Sequence, residues 1–302
     1  MHSSRPSPAG VRVVTYSARR ANVRGGPNGP WGGYSASGRS SQRGVLGVCA
    51  AVFAASVAAT LNEAHSMSAM GAMPMPGGWT LSTLWLPMCG QSWPVAAASF
   101  LRMWVVMMAA MMLPSLGPML ARYRAAVAGP MGVDQPRLEP SHLGWLTALV
   151  GAGYFSVWCV LGIAVFCVGV VSTSLLLQWP ALARAVPCLG AAVVLIAGAL
   201  QVSAWKARHL LRCRQAPSRM MAADAGTALR YGLHLGLHCI ASCAGLTAIL
   251  LVGGIMDLRV MALVTAAITV ERLAPSGGRA ARSIGAVVIG AGVVMMARAG
   301  GL

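Results

Sequence analysis

Acidic residues are scarce in this chain: six Asp and Glu stand against 23 Lys and Arg, for a net charge of +17. Charged residues of either sign make up 10% of the sequence and aromatics 6%, whereas 57% is hydrophobic. Too few charges are present to cover a water-exposed surface, and the apolar residues fall into several long runs. The chain therefore reads as an integral membrane protein. The positive excess does not mark a nucleic-acid binder, because the basic residues sit in short clusters between apolar runs, as they do in cytoplasmic membrane loops. A Gly-rich phosphate loop, a nucleophile–base arrangement and a carboxylate pair are all missing, so the chain is not expected to be an enzyme. A secreted disulfide framework is not expected either. Cys49, Cys159 and Cys167 lie inside apolar runs, and Cys213, Cys239 and Cys243 lie in or beside a basic stretch.

What is present is an alternation of apolar spans and basic connections. Residues 1–43 are rich in Ser, Gly, Pro and Arg, with seven arginines and no acid, which predicts a disordered cytoplasmic tail. The remainder, 44–302, reads as an all-α polytopic transmembrane helical bundle of about seven spans, at about 44–61, 95–120, 144–171, 188–204, 229–255, 258–272 and 283–299. The first span could also serve as a signal peptide, but a retained anchor suits the long basic segment before it better. Pro114 and Pro118 are expected to bend or end the second span near its inner end. Arg102 is expected to snorkel outward from it. The basic clusters alternate with the spans, which places the N-terminus inside and the C-terminus outside of a multi-pass membrane protein.

Two groups of soft donors stand out. The outer loop 62–94, which holds no Lys or Arg, contains HSMSAMGAMPMPGG, with His65, Met67, Met70, Met73 and Met75. Thioethers suit Cu(I) better than harder ions, although Met is also an adaptable loop residue. In the second span Met103, Met107 and Met111 recur every fourth residue, with Met108 and Met112 beside them, so one side of a helix is lined with sulfur. Such a stripe either passes a soft metal inward or merely packs.

The other group runs from Trp205 to Cys243, read as the end of one apolar helix, a basic loop and the start of the next. His209/Cys213, His234/His238 and Cys239/Cys243 each have i, i+4 spacing, which puts each pair on one helical face. His209, Cys213, Cys239 and Cys243 would close a tetrahedral site for Zn or a lower-coordinate one for Cu(I). At 100° per residue His234 and Cys243 lie about 180° apart, so either the histidine pair or the cysteine pair faces the fourth span. A thiol beside Lys206, Arg208, Arg212 and Arg214 is expected to ionise easily. Glu271 is expected to pair with Arg272 or with a residue of the basic stretch.

The blocks WVVMMAAMMLPSLGP, LQVSAWKARHLLRCRQAP, GLHLGLHCIASCAGL and VGGIMDLRVMALVTAAITVERLAP, in that order, resemble the predicted metal-binding integral membrane proteins, a bacterial family of unknown function. Members of that family typically carry a Lys followed by Cys-x-x-x-Cys-Arg, and then a Cys-x-x-Cys-Cys group. This chain keeps Lys206, Cys213, Cys239 and Cys243, has His209 in place of the first cysteine and Ser242 in place of a later one, and carries Arg102 where an apolar residue is usual. The resemblance implies metal handling, with copper favoured over zinc. It also favours the cysteines as the inward pair, leaving His234 and His238 as supporting or transfer ligands. The expected partners are a metal ion, membrane lipids and a copper-donating or copper-accepting protein, and nucleic acid is not among them. The alternatives are a membrane copper chaperone or assembly factor without transport, and a structural subunit that holds no metal.

Overall fold

The computed structural model describes residues 36–69, 73–75, 79–81, 85–87, 90–128, 139–215 and 222–300. The chain divides into two units, Met1–Arg39 and Ser40–Leu302. Among the described residues the elements of the second unit are helices and one short hairpin. The order of elements is α1 (Ala36–Ala69), β1 (Met73–Met75), β2 (Trp79–Leu81), α2 (Trp93–Val127), α3 (Pro140–Gln178), α4 (Pro180–Val202), α5 (Ala204–Arg214), α6 (Ala225–Gly253), α7 (Leu258–Leu273) and α8 (Gly277–Ala299).

Six helices among the described residues are long and apolar enough to cross a membrane: α1 from Arg43, α2, α3, α4, α6 and α8. At 16 residues α7 rises only about 24 Å, short of the roughly 30 Å of a hydrocarbon core. The expectation of seven spans counted this segment. Val160, Leu263 and Val287 point outward with 67%, 71% and 72% of their surface exposed, apolar side chains on the outside of the helices.

Several connections differ from those read in the sequence. α2 continues through Pro114 and Pro118 to Val127, so neither proline ends it. α3 and α4 are separated by Trp179 alone, so most of the residues expected to connect the spans 144–171 and 188–204 are helical. α1 continues past Leu61 to Ala69, so part of the Met-rich stretch is helical. Met73–Met75 then pairs antiparallel with Trp79–Leu81. Arg102 does not simply snorkel: its Nη1 sits 2.8 Å from Glu63 Oε1 on α1.

The core is built on α2. Phe100, Met103, Trp104, Met107, Met108, Met111 and Met112 are all buried, packed with Trp158 and Tyr154 of α3 and with the inner face of α6. The sulfur-rich side of α2 thus faces the bundle interior and not lipid. Trp104 Nε1 donates to Trp158 O at 3.0 Å, tying α2 to α3. α3 and α6 cross at two glycines: a Cβ at Gly153 would lie 2.6 Å from Leu229 O, and one at Gly232 would run into Val150 O. Small residues let helix backbones approach this closely where lipid gives no hydrophobic drive to associate. α6 ends at Gly254, whose φ of +105° only glycine adopts without strain, and Asp257 then caps α7 by accepting from the Arg259 and Val260 amides.

Candidate metal centre

The stretch read as a helix end and a loop is a separate helix. Ser203 breaks the chain in extended conformation (φ −72°, ψ 151°) and caps α5, its Oγ accepting from Lys206 N at 3.2 Å. Ser has a side-chain acceptor suited to this position, and Asp224 serves α6 in the same way through Thr227 N at 2.8 Å. α5 lies along α6 with matched register. His209 Nδ1 stands 3.2 Å from His238 Nδ1, and one turn on Cys213 Sγ stands 3.7 Å from Ser242 Oγ. Four residues rise about 6 Å, so these are two successive rungs, one of imidazole and one of sulfur.

The either-or choice between histidines and cysteines therefore does not arise. His238 meets His209 at the half-buried edge, while Cys239 and Cys243 turn into the core and His234 is exposed on the opposite side from Cys243. His209, expected to complete the cysteine set, is paired with His238 instead. Trp205 packs on the His209 ring, with centroids 4.6 Å apart. Burial, followed by the charges of Arg212 and Arg208, holds the His209 imidazole below its usual range, which keeps it neutral and able to bind a metal.

The inner rung is closely built. Cys239 Sγ lies 2.9 Å from Tyr154 OH and 3.9 Å from Met112 Sδ. Cys243 Sγ is 3.8 Å from Ser242 Oγ. From α7, Arg272 Nη2 donates to Cys239 Sγ at 2.8 Å, Ser242 Oγ at 3.2 Å and Cys243 Sγ at 3.3 Å, and Nη1 donates to Ser115 Oγ at 3.4 Å. Cys213 does not meet the expectation of easy ionisation. It is only 4% exposed, and burial pushes its thiol up despite the nearby guanidinium, while Arg208 and Arg212 point to the outside.

Beside this rung lies a buried polar relay. Lys206, the chain's single lysine, sits 2.7 Å from Glu271 Oε2, and Gln201 bridges the two, accepting from Lys206 Nζ and donating to Glu271 Oε1. Glu271 thus pairs with the basic stretch and not with Arg272. A pocket between α2, α3, α5, α6 and α7, lined by Ser115, Met119, Arg122, Tyr154, Cys213, Arg214, Leu235 and Arg272, reaches Cys213.

Among the described residues no three His, Cys, Asp or Glu side chains stand close enough together to hold an ion as they lie. Cys239 and Cys243 converge on Arg272, and Cys213 reaches them through Ser242. The donor types nevertheless suit a soft ion, with thiols beside a thioether in a buried setting. The outer methionines are distant from the rungs in sequence. Met75 is half-buried in the hairpin and His65 lies exposed on α1, whereas Met70 and the side chains of Met67 and Met73 fall outside the described residues.

The sequence matches the family model described as PpoB2, copper chaperone, over residues 101–295. The chain belongs to this copper chaperone family. The match takes in α2 from Leu101 through most of α8, so it covers both rungs and the α2 methionines, and it supports copper handling in place of the broader metal handling that the resemblance implied. No curated protein and no solved structure matches the chain.

Tyr154, Gln201 and Ser115 complete the site without a mark in the sequence, and Arg272 is marked there only as a partner for Glu271. Arg272 did carry a signal, since an arginine closing an apolar helix is unusual enough to suggest a function.

Proposed function

We propose that this chain is a membrane copper-handling protein that holds Cu(I) at the sulfur rung of Cys213, Cys239 and Cys243 and exchanges it with a partner protein through the imidazole rung of His209 and His238. The observation carrying this reading is the convergence of Cys239, Cys243 and Ser242 on one point, with Cys213 one contact away and Met112 against Cys239. The half-buried histidines stand one turn closer to the α5 N-terminus, where a partner would reach them, and His234 is exposed as a further transfer donor. In this reading the chain performs no bond-making reaction on a substrate. The apolar helices lie in a bacterial inner membrane, with the basic connections on the cytoplasmic side. Cu(I) fits the thiol and thioether donors better than Zn, which thiols and imidazoles would also accept.

A second reading, transport across the membrane, is favoured by the α2 methionines. Met103, Met107 and Met111 run through the buried core toward Met112 and Cys239, and Met67, Met70, Met73 and Met75 precede them as a capture segment. Several weak thioether sites in series would let an ion move on, whereas one tight cage would trap it.

Binding is tested by Cu(I) titration of the purified full chain against a chromophoric chelator, comparing wild type with Cys213→Ser/Cys239→Ser/Cys243→Ser. Retention of wild-type affinity by the triple variant would remove the sulfur rung from the proposal. Uptake into proteoliposomes loaded with a Cu(I) chelator separates the two readings: binding with flat uptake leaves the chaperone, and binding with uptake establishes the carrier.

A further inference from the structure

The geometry assigns the Cu(I) position in the sulfur rung to the point now held by Nη2 of Arg272, and makes Arg272 a displaceable plug that the ion must push aside to bind. The inference rests on reading the rung as a copper site and adds what controls entry to it.

Nη2 lies within 3.3 Å of two thiol sulfurs and one hydroxyl oxygen, at 2.8, 3.2 and 3.3 Å. Three electron-rich atoms from one face of α6 thus already surround a single cationic centre. Thiolate–metal bonds are near 2.3 Å, so an ion drawn to that point needs the sulfurs to close by less than about 1 Å. A guanidinium and a metal ion cannot share the position.

Nor is the arginine locked there. A fixed arginine usually makes a bidentate pair with a carboxylate. Among the described residues Arg272 has no such partner, because the adjoining Glu271 is turned to Lys206. Its Nη1 contact with Ser115 is long, at 3.4 Å, and its buried Nε has no hydrogen-bond partner. A pocket of about 20 Å³ lined by Ser115, Met119 and Arg272 itself adjoins the guanidinium, and the displaced group must widen it to enter.

The exchange needs no oxidant or reductant. Cu(I) forms bonds to two sulfurs, each thiol that binds gives its proton to water, and the guanidinium keeps its own proton. Cu(I) takes the guanidinium's place, and the loss of two thiol protons takes the rung itself from one positive charge to one negative. When copper leaves, the guanidinium returns and holds the thiols apart from a second ion. A plug of this kind weakens binding and favours release, which suits a protein that hands its cargo on.

The test is Cu(I) affinity of the full-length purified chain, read by chelator competition under reducing conditions, for wild type, Arg272→Leu and Arg272→Lys. Leucine removes the competing charge and adds no donor for the ion. A hydrogen bond to a charged group contributes about 1.5–3 kcal/mol, so Arg272→Leu is expected to bind about tenfold tighter or more, with slower release to the chelator. Arg272→Lys, with a single ammonium unable to span the same acceptors, should fall between the two. Equal or weaker binding by folded Arg272→Leu overturns the plug, and should that variant fail to fold, equal or weaker binding by Arg272→Lys does so. A wild type that binds no Cu(I) overturns the copper reading itself, whereas wild-type binding with unimproved variants removes only the plug.

Discussion

Lys206 Nζ lies 2.7 Å from Glu271 Oε2, and each side chain keeps only 3% of its surface exposed. Burial lowers the ammonium's proton affinity while the carboxylate raises it, so the pair depends on both members being present. Removing one charge strands the other. Glu271→Gln or Lys206→Met alone should cost about 3–5 kcal/mol, while the double variant Lys206→Met/Glu271→Leu should recover most of that loss. Thermal unfolding in detergent reads the order: both single variants melt below the double.

The His209 contact should make the protein acid-sensitive. The folded-state value lies below the ordinary value near 6.5, so between the two the unfolded chain binds more protons than the folded one. Stability contributed by the neutral imidazole is therefore present above about pH 6.5 and is lost as pH falls toward the folded value. The melting temperature of wild type should drop across this interval, and His209→Asn should flatten the slope. A parallel slope in the variant would place the acid sensitivity elsewhere.

Met112 offers a way to separate sulfur chemistry from packing. It is fully buried and its Sδ lies 3.9 Å from Cys239 Sγ. Met112→Leu conserves volume and should change stability by less than about 1.5 kcal/mol. If the thioether takes part in passing copper to the thiols, the same variant should load more slowly while melting near the wild-type temperature. Stopped-flow loading with a Cu(I)–chelate donor measures the rate.

At the α3–α6 crossing, Gly232→Ala would push a methyl group into Val150 O, a backbone atom with no rotamer to yield. The two helices must then separate, at a cost of about 1–3 kcal/mol by analogy with overpacked cores. Gly151, with open space around it, should accept alanine with little effect, and comparing the two melting temperatures tests the crossing itself.

The helical class, most of the apolar spans and the i, i+4 donor pairs are legible in the sequence because each follows from local period or composition. His209/Cys213 and Cys239/Cys243 do share faces, as 3.6-residue geometry requires. What escapes is anything set by how two helices lie against each other. No local pattern tells that Ser203 divides α4 from α5, or that α5 runs alongside α6 in register, which is why His209 groups with the cysteines in sequence and with His238 in the fold. Ionisation at Cys213 goes astray for a related reason: neighbours in sequence supply positive charge, but the fold turns Arg208 and Arg212 outward and buries the thiol. Arg272 belongs to a third helix, and only the fold brings it among the sulfurs.

The break at Ser203 makes α5 a rod distinct from α4. His209 and Cys213 ride on the same eleven-residue rod, joined to its predecessor by a single extended residue. A pivot at that joint would carry both side chains together, so parting the two imidazoles would also draw Cys213 away from Ser242. In the copper reading proposed above, an ion gripped by the thiols would in turn hold the two imidazoles at the rim in register.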